Sequence, residues 1–314
     1  MLRQLFGIFG EHVEELEETV DSAGLTAVDV ETKSGSIALR GADQGKVVVR
    51  AEKRVRAPSQ EKAEAFAKEV AVRIEREGDR LRIRTDHPRP PLGYSVSVSY
   101  DVAAPGGVDA DLHTSSGGIR VEAIEGAVKA KTSSGGIRLQ GAAQMADLHT
   151  SSGGIRAEGI AGAVRARTSS GGIEVQGGSG YAILHSSSGG VKARMQRLEE
   201  SGEFSSNSGA IHVEIDESAA PIKVKGSSGS ITIRIGSGIV PVEARTSSGS
   251  VHVTLPAGFA GQLDASTNSG GVHCDLPLSD AHSTRKHVTG KIGEGGEALV
   301  KLHTSSGSVH VGTG

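Results

Sequence analysis

Residues Thr114–Ile137 read "TSSGGIRVEAIEGAVKAKTSSGGI", and the five letters that open the stretch return at Thr132–Gly136. Working outward from it, the glycines of the Ser-Gly pairs fall at Gly117, Gly135, Gly153, Gly171, Gly189, Gly209, Gly229, Gly249 and Gly270. The spacing is constant as far as Gly189 and lengthens slightly beyond it. An earlier copy, "TKSGSIALRG", centres on Gly35, and a last one, "TSSGSVHV", on Gly307. A longer period, two units long, lies inside the first steps. "DLHTSSGGIRVEAIEGAVKAKTSSGGIRLQG" from Asp111 recurs from Asp147 as "DLHTSSGGIRAEGIAGAVRARTSSGGIEVQG". Regular self-similarity of this kind marks a repeat architecture.

Within one unit the pattern has period two, the signature of strands. Ile119 and Val121 share one face, with Arg120 and Glu122 on the other; Val128, Ala130 and Thr132 share a face opposite Lys129 and Lys131. "SSGG" and "EG" separate the strands as turns, where glycine is expected because a tight reversal demands positive φ. Successive units carry Val128, Ala146, Val164 and Ala182 at one inward position and Ala130, Leu148, Ala166 and Leu184 at the next. A large residue in one layer meets a small one in the next, as expected of side chains interdigitating at the ~4.8 Å spacing of hydrogen-bonded strands. The pattern predicts an all-β chain, a parallel β-solenoid with coils of roughly 18–21 residues.

Composition agrees. Glycine supplies 45 of 314 residues and aromatics only 3%, with no Trp, which suits stacked layers of small residues better than an aromatic-rich core. The net charge of -3, with both signs interspersed, gives no electrostatic footprint for nucleic acid. Cys274 is the single cysteine, so no disulfide framework forms within one chain; in "GVHCDL" it shares a strand face with Val272 and Leu276 and reads as a buried thiol. No apolar run reaches the ~20 residues of a membrane span. With no signal peptide visible at the start, the expected location is the cytoplasm.

Four segments follow. Residues 1–22 read as an amphipathic helix, with Leu2, Leu5, Phe6, Phe9, Val13, Leu16 and Val20 at helical spacing opposite Glu11, Glu14, Glu15 and Glu18. This helix caps the first coil or binds a partner. A membrane-surface role for residues 2–20 is the sharper alternative, set against a surplus of acidic residues. Residues 23–110 hold strands and an inserted helix at about 59–71, N-capped by Ser59. Residues 111–277 are the regular array. Residues 278–314 are a loop, "SDAHSTRKHVTG", and the closing repeat.

These residues resemble the bacterial "putative adhesin" β-strand-repeat proteins, a family of unknown function. "LTAVDVETKSGSIALRG" with "KVVVRAEKRVRA" is similar to its opening strands. "YSVSVSYDVAAPGGVDADLHTSSGGIRVEAIEGAVKAKTSSGGI" is similar to its array, and "VTGKIGEGGEALVKLHTSSGSVHV" to its closing repeat. The resemblance covers roughly residues 25–314. It implies a right-handed, β-helix-like solenoid and links to envelope stress or surface attachment, and it supplies no catalytic residues.

The repeated phrase itself offers little chemistry. Its glycines lead into strands, and no GK[ST] follows as a phosphate loop requires. Many equivalent serines with no positioned base do not make a nucleophile; they read as a hydroxyl ladder on turn backbone groups. His113, His149 and His185 recur at the longer period with Lys131 and Arg167 between them, which sets the histidines ~10 Å apart, too far to share a metal. His252, His273 and His310 read as outward strand positions. A glycan-cleaving groove lacks acidic clusters and aromatic platforms, with Tyr181, Phe204 and Phe259 scattered; an ice-binding threonine row (Thr114, Thr132, Thr150, Thr168) ends at Ser186. The reading is therefore a non-enzymatic scaffold for protein interaction, with self-assembly into a filament as the alternative. No cofactor, metal or catalytic residue is assigned. Outward Arg120, Arg138, Arg156, Lys129 and Arg165 are the candidate contact residues. The glycines Gly117, Gly135, Gly153, Gly171, Gly189, Gly209, Gly229, Gly249, Gly270 and Gly307 are structural turns.

Overall fold

The structure is a computed structural model that describes residues 10–42, 45–141 and 143–314. The chain forms two compact units, Met1–Ala143 and Gln144–Gly314. Each is built from coils that contribute one strand to each of two sheets.

In the first unit one sheet runs, in spatial order, Gly10–Asp21, Lys46–Ala57, Ser95–Ala104, Ile37–Gly41, Ile119–Glu122 and Ile137–Gln140. Its first two junctions are antiparallel and the others parallel. The second sheet runs Ala127–Thr132, Asp109–Ser116, Ala27–Ser34, Arg80–Asp86 and Ala71–Glu77, with only the last junction antiparallel. Spatial order is not chain order. The coil around Gly35 lies between the 80–104 coil and the 109–122 coil.

Over residues 10–21 the expected amphipathic helix is not what forms. Gly10–Asp21 is a strand paired antiparallel with Lys46–Ala57 along its whole length; Leu2, Leu5, Phe6 and Phe9 lie outside the described residues. The physical reason is cross-strand charge. Glu11 meets Arg56 (2.9 Å), Glu14 meets Lys53 (2.6 Å) and Glu17 meets Arg50 (2.8 Å), so a glutamate run faces an Arg/Lys run. Lys53 holds the Glu14 carboxyl below its ordinary value by hydrogen bond and charge. The inserted helix is confirmed but spans Gln60–Ala67, with Ser59 Oγ accepting from Lys62 N–H. It ends short of residue 71 because Ala71–Glu77 is already paired with Arg80–Asp86. Phe66 is buried and packs on Tyr94, ring centroids 5.3 Å apart. Buried Tyr100 shares a 2.6 Å hydrogen bond with Thr85, and desolvation pushes its phenol up to about 12.

In the second unit one sheet runs Ile155–Ile160, Ile173–Gly177, Val191–Leu198, Ile211–Ser218, Ile231–Ser237, Val251–Leu255, Val309–Thr313 and Val272–Cys274, all parallel. The other runs Met145–Thr150, Ala163–Thr168, Ala182–Ser186, Gly202–Ser206, Ile222–Gly226, Val242–Ser248, Leu299–Ser306 and Gly261–Ser269, then His287–Ile292 and Leu278–Ser283 antiparallel. Here too the order is rearranged: the Gly307 coil sits between the Gly249 and Gly270 coils. The expected loop "SDAHSTRKHVTG" is largely this antiparallel pair, kinked at Asp280 (φ 51°), whose carboxylate holds Lys291 at 2.6 Å. Where the repeat lengthens, after Gly189, the added residues extend the first sheet: Ile173–Gly177 is followed by the longer Val191–Leu198, whose Met195 and Leu198 are buried.

The alternation of large and small residues is confirmed as stacking. Ala146 pairs with Val164 and Leu148 with Ala166; Val164 then pairs with Ala182 and Ala166 with Leu184, all essentially inaccessible. The reason for the turn glycines needs correction. Positive φ occurs at Gly249, Gly270 and Gly307, as at Gly35, but not at Gly117, Gly135, Gly171, Gly189, Gly209 or Gly229. There an added Cβ would fall under 3.0 Å from backbone atoms of the neighbouring turn, chiefly its glycine carbonyl. Coils touch backbone to backbone at these points, and no side chain fits.

A hydroxyl ladder on the turn backbone does form, but it is built by the threonine row and its Ser186 and Ser206 continuations rather than by the serines of the phrase; the row is buried, which removes the flat exposed face that ice binding needs. Thr132 donates to Gly117 O (2.9 Å), Thr168 to Gly153 O (2.8 Å), Ser186 to Gly171 O (2.8 Å) and Ser206 to Gly189 O (2.8 Å). Thr168, Ser186 and Ser206 also accept from the glycine N–H three residues on, at 3.2, 2.9 and 2.9 Å. Thr168→Val keeps the shape and removes both bonds. Its expected cost is about 1–3 kcal/mol, from leaving buried backbone groups unsatisfied. Thr168→Ser, which Ser186 already exemplifies, should cost a fraction of that. Thermal unfolding of the two variants compares them, and equal melting temperatures would show the ladder contributes nothing.

Candidate functional site: the outward rows and a histidine cluster

Outward positions on a strand alternate with buried ones, so each sheet displays rows of residues at rung spacing. In the first unit Arg120 and Arg138 are direct neighbours on parallel rungs, both exposed. Like charges side by side are unfavourable. Glu122 approaches Arg120 only to 4.0 Å, and Arg138 forms no ion pair among the described residues. Lys129 lies on the unit's other sheet, bonded to Asp111 at 3.0 Å.

In the second unit Arg156 begins a row that continues through Glu174, Lys192, His212, Thr232, His252, His310 and His273. Arg156 is tied to Glu158 (2.5 Å) and Glu174 (3.5 Å), and Lys192 to Glu174 (3.6 Å). A hydrogen bond from His212, aided by Arg194, holds the Glu214 carboxyl below its ordinary value. Arg165 sits on the other sheet, half-buried, its guanidinium 5.9 Å from the centre of the Tyr181 ring. Arg120 and Arg138 are brought together, whereas Lys129 and Arg165 occupy different sheets from the arginines of their own units.

The row in the second unit ends in three stacked imidazoles. His252 and His310 have centroids 4.5 Å apart and nearly parallel planes; His310 and His273 follow at 5.1 Å. Asp275, two residues beyond His273 on the same face, bridges the last two. Its Oδ1 lies 2.9 Å from His273 Nε2 and its Oδ2 3.0 Å from His310 Nε2. Asp275 N–H donates to Val311 O, which sets the carboxylate beside Gly312, where no side chain competes for the space. The His252 imidazole is pushed below its ordinary value by partial burial and by His310, against the pull of Asp275. Cys274 points to the opposite face. It is only half-buried, contrary to the expected buried thiol, because it stands on a three-residue outermost strand; burial nonetheless raises the thiol.

The metal donors brought together are His273, Asp275 and His310, all ligand atoms lying within 4.8 Å of one another. The row of His113, His149 and His185 is interleaved as expected, with Lys131 beside His113 and Arg167 between His149 and His185. The cluster was marked in the sequence by one signal. "TSSGSVHV" occurs identically at 246–253 and 304–311, and those copies become neighbours.

No helix among the described residues is long and apolar enough to cross a membrane. None of the curated proteins matches the chain. Among solved structures, a putative adhesin from Parabacteroides distasonis ATCC 8503 is similar over 96% of this chain and 97% of that one, at 11% identity and a TM-score of 0.47. A putative adhesin from Bacteroides fragilis NCTC 9343 covers the same shares at 12% identity and a TM-score of 0.36. The Toastrack DUF4097 family profile matches residues 142–238 and 237–312, more than half of the sequence and nearly all of the second unit. The repeated turns, the two-sheet coils and this match agree: the chain belongs to the Toastrack DUF4097 family, a β-solenoid fold.

Proposed function

We propose that the chain is a non-enzymatic β-solenoid scaffold that binds a protein partner through its outward rows. One observation carries this reading: Arg120 beside Arg138, an incompletely neutralised like-charge pair held on rigid neighbouring rungs. Such a pair fits an acidic segment of a partner, whose carboxylates would relieve the repulsion. Filament formation is the less favoured alternative, because stacking needs open strand edges. Of the outermost strands, Gly10–Asp21 and Ala71–Glu77 in the first unit and Leu278–Ser283 in the second are antiparallel additions, the first carrying five glutamates; Val272–Cys274 is parallel but only three residues long.

The test pairs light scattering with partner capture. The protein is expected to remain monomeric, and R120E/R138E to lose at least about tenfold in affinity for the captured partner, as a charge reversal across a contact should produce. Its melting temperature should be unchanged or slightly lowered, because the reversed pair still repels and now also faces Glu122. Fibres in the unmodified protein, or full partner affinity in R120E/R138E, would overturn the reading.

A further inference from the structure

We propose that His273, Asp275 and His310 form a binding site for a divalent transition-metal ion. Two imidazoles and one carboxylate are borderline donors, matched to Zn²⁺, Co²⁺, Ni²⁺ or Cu²⁺ rather than to Mg²⁺ or Ca²⁺, which prefer all-oxygen shells. The geometry comes from the sheet. Residues i and i+2 of one strand share a face, and the neighbouring rung supplies the third donor about 4.8 Å away. That puts His273 and Asp275 on one strand and its extension, with His310 beside them.

The carboxylate already faces both Nε2 atoms, at 2.9 and 3.0 Å. A metal ion would take the place of the protons in those two hydrogen bonds. Bonds near ~2.0–2.1 Å require only that the three side chains rotate towards a common point. Asp275 and His273 are more than half exposed and free to do so, while water fills the remaining positions. The backbone beneath is fixed by parallel pairing of Val272 with Val309 and Cys274 with Val311. His252, stacked on His310 from the other side, is a positioning residue that holds the ring upright.

The site would also join two strands far apart in sequence, at the point where the Gly307 coil is intercalated. Metal is therefore expected to stabilise this end of the second unit. The inference is independent of the scaffold reading.

Tag-free full chain titrated with Co²⁺, followed by visible absorption and by competition with a chromophoric chelator for Zn²⁺, tests it. The expected result is one ion per chain, a melting temperature that rises with metal, and at least about tenfold weaker binding in H310Q and in D275N, as loss of a donor should cause. H252Q should weaken binding less than either. All three changes are at exposed or half-exposed positions, so the apo-protein melting temperatures check that the variants fold. No binding at millimolar metal would overturn the proposal. So would binding that survives H273Q/H310Q intact, because the ion would then sit on other histidines of the chain.

Discussion

Gly171→Ala is expected to destabilise the second unit by about 4 kcal/mol, the sum of overpacking and lost hydrogen bonds. Gly172→Ala, one residue on, should stay within about 0.5 kcal/mol of the parent, the usual range for a surface change. A Cβ at Gly171 would lie under 3.0 Å from Gly153 C and O and from Gly154 N, all backbone. None of these can rotate away. Relief requires the turns to part, which strains Thr168 Oγ1 to Gly153 O (2.8 Å), Ser170 N to Ser151 O (3.0 Å) and Ile155 N to Gly172 O (2.9 Å). Overpacking alone costs about 1–3 kcal/mol, and each lost hydrogen bond about 1 kcal/mol. Against a typical stability of about 5–15 kcal/mol, that sum is a large fraction.

At Gly172 the added Cβ meets only Gly190 O, at 3.4 Å, an ordinary contact. The chain performs this control itself. The second glycine of the turn is replaced by Ala210, Ser230, Ser250 and Ser308 in later coils, and the first never is. Paired urea unfolding curves compare the two variants. Equal midpoints would show that the backbone approach does not set the glycine requirement.

Phe204→Ala is expected to cost about 3–5 kcal/mol, the usual range for emptying a buried phenyl site. Phe204 is 1% exposed, between Leu184 and Val224 on neighbouring rungs. Its ring is accommodated by Gly202 on the same strand face, where an added Cβ would come 3.0 Å from Phe204 Cε2 and 2.8 Å from Leu198 Cδ2. Gly202→Ala in the parent protein should therefore cost about 1–3 kcal/mol. In the Phe204→Ala background the same change should cost at least about 1 kcal/mol less, since the methyl then occupies vacated volume. Additive effects in this double-mutant cycle would mean that the phenyl ring and Gly202 do not share one space.

The regular array was legible because its information is local and repeated. "TSSGGI" fixes a turn and a strand face, and the Val128/Ala130 alternation shows the layers interdigitating without any long-range knowledge. Ser59 gave the helix start for the same reason. Val13, Leu16 and Val20 misled because helical spacing and an edge strand's partial exposure place similar demands on a short segment; the deciding partner, Lys46–Ala57, is remote. The turn glycines stand out by their spacing, but backbone approach between coils has no signature in a single coil. Strand order was the largest gap. Two identical octapeptides offer equivalent edges, and nothing local says which coil becomes whose neighbour. The histidine cluster depends wholly on that order, and the identity of the two octapeptides is the one hint of it in the sequence.

The intercalated coil has a consequence for how the molecule is made and how such chains change length. Strands Leu299–Ser306 and Val309–Thr313 are synthesised after Gly261–Ser269 and Val272–Cys274, yet they lie inside them. The outer coil therefore waits during synthesis for a neighbour not yet made, and the second unit cannot finish folding in the direction of translation. An ordinary solenoid can gain a repeat by duplicating its last coil. Here a duplicated coil at this end would have no vacant neighbour, so repeat number is free to vary only within the stretch whose spatial and chain orders agree.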